Sequence, residues 1–127
     1  MVNSHPHRHH TASYNSVYYQ FTPTQTGTYT FSTCNAANFD TKIIVSTTCD
    51  AQGLLTCNDD GGGCSGYTSV TPAITLNAGT RYYVILGSWS ADTRAGSGTI
   101  TVTGPPPTRA PTRSPTYVLF LKTGQRI

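Results

Sequence analysis

Apolar and polar positions alternate along most of this chain with a period of two. In SVYYQFT, residues 16 to 22, Val17, Tyr19 and Phe21 fall on one face and Tyr18, Gln20 and Thr22 on the other, the pattern of a half-buried strand. PTQTG then turns the chain, and TYTFST (28 to 33) sets Tyr29 and Phe31 against Thr28, Thr30 and Ser32. The two segments read as a hairpin. DTKIIVST (40 to 47) offers Ile43 and Val45 to a core with Lys42 and Ile44 opposite, and a short GLLTCN follows. SVTPAITLN (69 to 77) aligns Val70, Pro72, Ile74 and Leu76; Pro72 cannot donate to a ladder, which points to an edge or a bulge. RYYVILGS (81 to 88) is the most apolar run, with Tyr82, Val84 and Leu86 inward, and SGTITVTG (97 to 104) adds Ile100 and Val102.

No helical period occurs, and turn residues punctuate the strands regularly. The expected class is all-β: an antiparallel two-sheet, jelly-roll-like β-sandwich of about seven to eight strands. The ends differ from this middle. Residues 1 to 13 form a His-rich arm, 14 to 104 the sandwich, 105 to 116 a spacer rich in Pro, Thr and Arg, and 117 to 127 an apolar tail. The spacer, from GPPPTRAPTRSPT, has the composition of a polyproline-like connector. Tyr117, Val118, Leu119, Phe120 and Leu121 make a continuous strand-former beyond it. Such a strand, unpaired in water, invites association with another chain, so these five residues are the candidate assembly strand.

Composition narrows the partners. Only 10% of the 127 residues are charged, all five acidic residues are Asp, and the formal charge is +3. Arg8, Arg109, Arg113 and Arg126 lie outside the middle, so the body shows no basic stripe of the kind that tracks nucleic acid. No apolar run is long enough to span a bilayer. A surface made polar by hydroxyls suits an extracellular β-protein. The start MVNSHPHRHHTASYNS has no apolar core of a secretory signal, which makes the chain a mature or excised fragment if it is exported.

Cys34, Cys49, Cys57 and Cys64 fall within one short window. An even set without a C-x-x-C pair reads as two disulfides in an oxidising compartment rather than as zinc. The preferred pairing is Cys57 with Cys64 around NDDGGG, whose glycines suit a tight ring, and Cys34 with Cys49; four cysteines allow three pairings. Asp40, Asn58, Asp59 and Asp60 are the candidate Ca²⁺ ligands, although no EF-hand spacing exists and turn-capping roles for these side chains are the simpler reading. No other cofactor is called for.

The body contains no His, which removes a Ser-His-Asp triad, and GCSGY lacks the last glycine of a nucleophile elbow. The expectation is no enzyme. His5, His7, His9 and His10 sit in the arm, where metal chelation competes with simple solvation. Tyr67, Tyr83 and Trp89 would stack on sugar rings if they shared one end of the sandwich; otherwise Trp89 caps the core beside Gly87. Thr108, Thr112, Ser114 and Thr116 flank the spacer prolines as candidate O-glycan sites, and no N-glycosylation sequon occurs.

Taken together, YYQFTPTQTGTYTFSTC, FDTKIIVS, LLTCNDDGGGC, ITLNAGTRYYVILGSW and GSGTITVTG, in that order, resemble the bacterial pre-peptidase C-terminal domain over residues 14 to 104. The resemblance implies a non-catalytic β-sandwich appended to exported proteins, linked to adhesion, secretion or calcium binding. The arm, spacer and tail have no counterpart in it. The leading expectation is a secreted structural subunit that joins copies of itself through its terminal segments. The alternative is an adhesion module for carbohydrate or protein beside a secreted enzyme, stabilised by Ca²⁺ in a variant of that reading.

Overall fold

The computed structural model describes residues 13 to 90 and 96 to 106 in full, and 116 to 122 as backbone. Residues 1 to 12 of the arm with their four histidines, Thr108, Thr112 and Ser114 lie outside the described residues. Eight strands follow in order: β1 (Tyr14–Phe21), β2 (Gly27–Ser32), β3 (Thr41–Ser46), β4 (Leu54–Asn58), β5 (Ile74–Leu76), β6 (Tyr82–Ser88), β7 (Ser97–Thr103) and β8 (Thr116–Lys122). They form two four-stranded antiparallel sheets, β1-β6-β3-β4 and β5-β2-β7-β8. The sandwich read from the sequence is therefore the fold. Among the described residues no helix is long and apolar enough to cross a membrane.

The core lies where the alternation places it. Val17, Ile43, Val45, Tyr82, Val84 and Leu86 from the first sheet meet Tyr29, Phe31, Leu76, Ile100 and Val102 from the second. Each such side chain contributes roughly 1.5–3 kcal/mol on burial. The Phe21 ring stands edge-on to Tyr29 at 5.5 Å and to Phe31 at 5.7 Å. These contacts run between sheets and correct the expected hairpin: β1 pairs with β6, and β2 with β5 and β7. PTQTG is a crossover. Two inward faces of the same alternation can bury each other across a sandwich as well as side by side, and period alone does not choose.

Three further expectations change. The strand expected from Ser69 begins only at Ile74; Val70 makes an isolated bridge to Ser32, and Pro72 is exposed between them. Ile44, expected on the solvent side, is fully buried in a second cluster with Ala51 and Ile85, against which Leu54 and Cys57 pack. The β3–β4 connection folds over the outer face of its own sheet. The tail strand is paired: β8 lies antiparallel on β7, from Thr103 opposite Thr116 to Ser97 opposite Lys122.

Candidate functional site

The β2–β3 and β4–β5 connections meet at one end of the sandwich. Residues 33 to 40, between β2 and β3, lie against the Gly-rich loop that follows β4, and the Cys34–Cys64 disulfide joins them, with an S–S distance of 2.01 Å and Cα atoms 5.0 Å apart. This corrects both expected pairings, and the structure holds one bridge where two were expected. Cys57 is a strand residue opposite Ile44 whose side chain packs on the outer-face cluster. Cys64 sits in a turn, with its N–H donating to Gly61 O at 3.0 Å. Cys49 is exposed and Cys57 half-buried, both as free thiols. A bridge between residues 30 apart contributes roughly 3–4 kcal/mol by loop-closure entropy, and it points to an oxidising compartment.

Beneath the bridge the core is sealed by hydroxyls. Thr33, Thr41 and Ser69 have no solvent exposure. Thr33 Oγ1 lies 2.7 Å from Thr41 Oγ1, which lies 2.9 Å from Ser69 Oγ, itself 2.8 Å from the Thr41 carbonyl and 2.9 Å from that of Asp59. Thr33 N–H donates to Ser69 O, and Ser69 N–H to Thr33 Oγ1. Asn35 Oδ1 accepts from both the N–H and the hydroxyl of Ser65 at 2.7 Å. Backbone groups that form no ladder at this end are thus satisfied by side chains. Gly61 is required where it stands: a Cβ there would come within 2.7 Å of Cys64 Sγ and 3.1 Å of Val70 N.

The candidate calcium ligands are drawn to this end without forming a cage. Asn58 is engaged in its own loop, accepting from Val70 N–H at 2.9 Å and reaching Asp60 O at 3.4 Å. Among the described residues no three acidic, His or Cys side chains are grouped closely enough to hold a metal. Asp40 is nonetheless unusual. Its Oδ1 is buried with no hydrogen-bond partner among the described residues, and burial, then the Asp60 and Asp59 carboxylates, raise its pKa. Lys42, two residues on, is buried as well, which lowers its pKa, while Asp59 and Cys57 act to raise it. The Cys57 thiol is pushed up to about 11, chiefly by burial, with Lys42 opposing and Asp59 adding. A buried lysine was invisible in the sequence, where its polar side of the strand reads as solvent-facing.

The aromatic candidates separate. Tyr67 O accepts from Thr41 N–H at 3.3 Å, and Trp89 N–H donates to Asp40 O at 3.2 Å. The two residues therefore attach to consecutive positions of one chain segment, Trp89 at Asp40 and Tyr67 at Thr41. Trp89 is 54% and Tyr67 67% exposed, which overturns the expectation that Trp89 caps the core. Tyr67 holds φ at 57°, a left-handed conformation that bulky residues rarely adopt. Tyr83 is elsewhere: opposite Gln20 and Ser46, five residues from Ser88 along β6, or about 17 Å. It lines a groove with Tyr18, Gln20 and Cys49.

No protein-family model, curated protein or solved structure matches the chain.

Proposed function

We propose that this chain is a non-catalytic extracellular bead that joins to copies of itself by exchanging β8. The observation that carries the reading is the mismatch between the β7–β8 ladder and the segment that connects it. Thr103 and Thr116 are paired, so their Cα atoms stand about 4.5–5.5 Å apart. A two-residue turn closes such a hairpin. Here twelve residues intervene, five of them proline. Gly104 is buried against Tyr29 and Pro105 lies against Gly27; the stretch from 107 to 115 would extend about 28 Å in a polyproline conformation, comparable to the width of about 30 Å expected of a sandwich this size. A connection of this length and proline content supports delivery of β8 to a neighbour's β7, where the same ladder would form. Exchange of identical elements adds no new contact requirement, and a head-to-tail arrangement propagates.

The oxidising compartment indicated by the bridge, the hydroxyl-rich surface and the resemblance to pre-peptidase C-terminal domains support an exported, non-catalytic role. The test compares the full chain, oxidised, with a variant in which residues 104 to 115 are replaced by Gly-Asn, which keeps a glycine against Tyr29. Negative-stain microscopy and sedimentation velocity should show filaments or a concentration-dependent ladder of oligomers for the first and single particles for the second. A full chain that stays monomeric at every concentration overturns exchange.

A second reading is favoured by the Tyr67–Trp89 end. Two exposed aromatics whose backbones bond to neighbouring groups of the Asp40–Thr41 segment suit an adhesion surface, since rings stack on sugars. The strained φ of Tyr67 fits a residue held out for contact. Replacement of both by Ala would then abolish surface adhesion while leaving oligomer size unchanged.

A further inference from the structure

On the outer face of the first sheet, away from the disulfide, a groove of about 420 Å³ is lined by Tyr18, Gln20, Tyr83 and Cys49. The strand register builds it. Gln20 is opposite Tyr83, and Tyr18 is opposite Ile85. Val17, Tyr19, Phe21 and Val84 occupy the alternate positions and pack inward, so Tyr18, Gln20 and Tyr83 project together from the other face. The buried Ile85 and Ile44 continue that surface into the second apolar cluster.

The rim is built as well. Cys49 belongs to the β3–β4 connection, and this connection is tied at several points. Thr48 Oγ1 donates to Asp50 Oδ1 at 2.6 Å, and Gln52 N–H donates to the same oxygen at 3.0 Å. Gly53 N–H donates to Thr48 Oγ1 at 2.9 Å, and Thr47 N–H to Gly53 O at 2.9 Å. Ala51 is buried and anchors the loop to the sheet. The groove is therefore preformed, which lowers the entropy lost on binding.

Its chemistry selects a ligand. Among the described residues no carboxylate, ammonium or guanidinium lines it, and the rim carboxylate Asp50 is taken up by Thr48 and Gln52, so the described lining favours a neutral ligand. Two phenol rings offer flat apolar faces with hydroxyl tips, and one amide offers both donors and an acceptor. That combination matches a ring with C–H groups on its face and hydroxyls at its edge. The volume falls within the roughly 300–1,000 Å³ of small-molecule sites. We propose that this groove binds a neutral pyranose, as a monosaccharide or the end of a glycan, with Tyr18 and Tyr83 in contact with its face and Gln20 bound to its hydroxyls. The site depends neither on exchange of β8 nor on the Tyr67–Trp89 end.

The test is an NMR titration of the oxidised full chain with methyl β-glucoside, methyl α-mannoside, N-acetylglucosamine and cellobiose, with glucuronate as the charged control. At least one neutral sugar should give saturable shifts at residues 18 to 20, 48 to 50 and 83 to 85, and should slow alkylation of Cys49. Tyr83→Ala and Gln20→Ala should each weaken that sugar about tenfold or more, and Thr75→Ala, exposed on the second sheet, should not. Gln20 is exposed, so its variant reports on binding even if Tyr83→Ala fails to fold. The proposal is overturned if no neutral sugar saturates, if glucuronate binds as tightly, or if the shifts map to Tyr67 and Trp89.

Discussion

The two ends of the sandwich are closed by different physics. At the end carrying the Gly-rich loop, the core is sealed by Thr33, Thr41 and Ser69 with a disulfide above them. At the opposite end it is sealed by rings: Phe21 against Tyr29 and Phe31, with short turns tied locally. Gly79 N–H donates to Pro23 O, Asn77 N–H to the Tyr82 hydroxyl, and the Tyr29 hydroxyl to Gln25 O. An end closed by apolar rings needs no covalent help. An end where two long loops meet leaves many backbone groups without ladder partners, and it is satisfied by hydroxyls and held by a bond. That division frees the aromatics of the loop end, Tyr67 and Trp89, for solvent.

The largest way to break the comparison is to remove the bridge. Cys34→Ser should lower stability by roughly 3–4 kcal/mol, a fall in Tm on the order of 10 °C, measured by thermal and urea unfolding. Hydrogen exchange should localise the loss: amides of Thr33, Thr68 and Ser69 lose protection while Val84 and Tyr82 keep theirs. Equal loss at both ends would show that the sandwich opens only as a unit. A smaller break is Ser69→Ala, which leaves the Thr41 and Asp59 carbonyls and the Thr41 hydroxyl each short of a partner. About 1–3 kcal/mol should be lost, read from urea midpoints with an unchanged slope.

Much of the fold was legible because inward positions alternate strictly in Val17–Phe21, Tyr29–Phe31 and Tyr82–Leu86, and every one of those residues touches the core. Partner choice was not. Period two fixes which face is apolar and says nothing about which sheet a strand joins, so β1 and β2 read as a hairpin and lie in different layers. The disulfide was missed for a related reason. Nearness of Cys57 and Cys64 in sequence suggested a local ring, but a strand residue at 57 has its side chain committed to the outer face by pairing with Ile44. The site was half legible: Asp40, Asp59, Tyr67 and Trp89 could be named as chemistry-bearing residues, and their convergence required two loops to meet. Tyr18 gave no signal, since one exposed tyrosine in a strand acquires meaning only beside Tyr83 and a folded-back loop.

The smallest effect also discriminates most finely between the ends. Asp40 lies at the loop end with a raised pKa, from burial first and then from Asp60 and Asp59. Asp50, in the connection at the opposite end, has a lowered one, from the Thr48 hydroxyl first and then the Gln52 N–H. Their contributions to stability run in opposite directions with pH. For Asp50 the folded state holds the proton less tightly, so stability is present above the unfolded value and is lost as pH falls through the lowered folded value. For Asp40 the folded state holds the proton more tightly, so stability falls as pH rises from the unfolded value through the raised folded value, and stays reduced above it. Asp40→Asn removes an ionised oxygen that has no hydrogen-bond partner among the described residues. Urea unfolding should find this variant more stable than the parent at about pH 7, with the gap closing at about pH 3.5 where the parent carboxyl is protonated. Asp50→Asn should show the reverse order at about pH 7 and converge on the parent in acid. A destabilised Asp40→Asn at neutral pH would mean that the fold stabilises the carboxylate as an anion, and would overturn this sign.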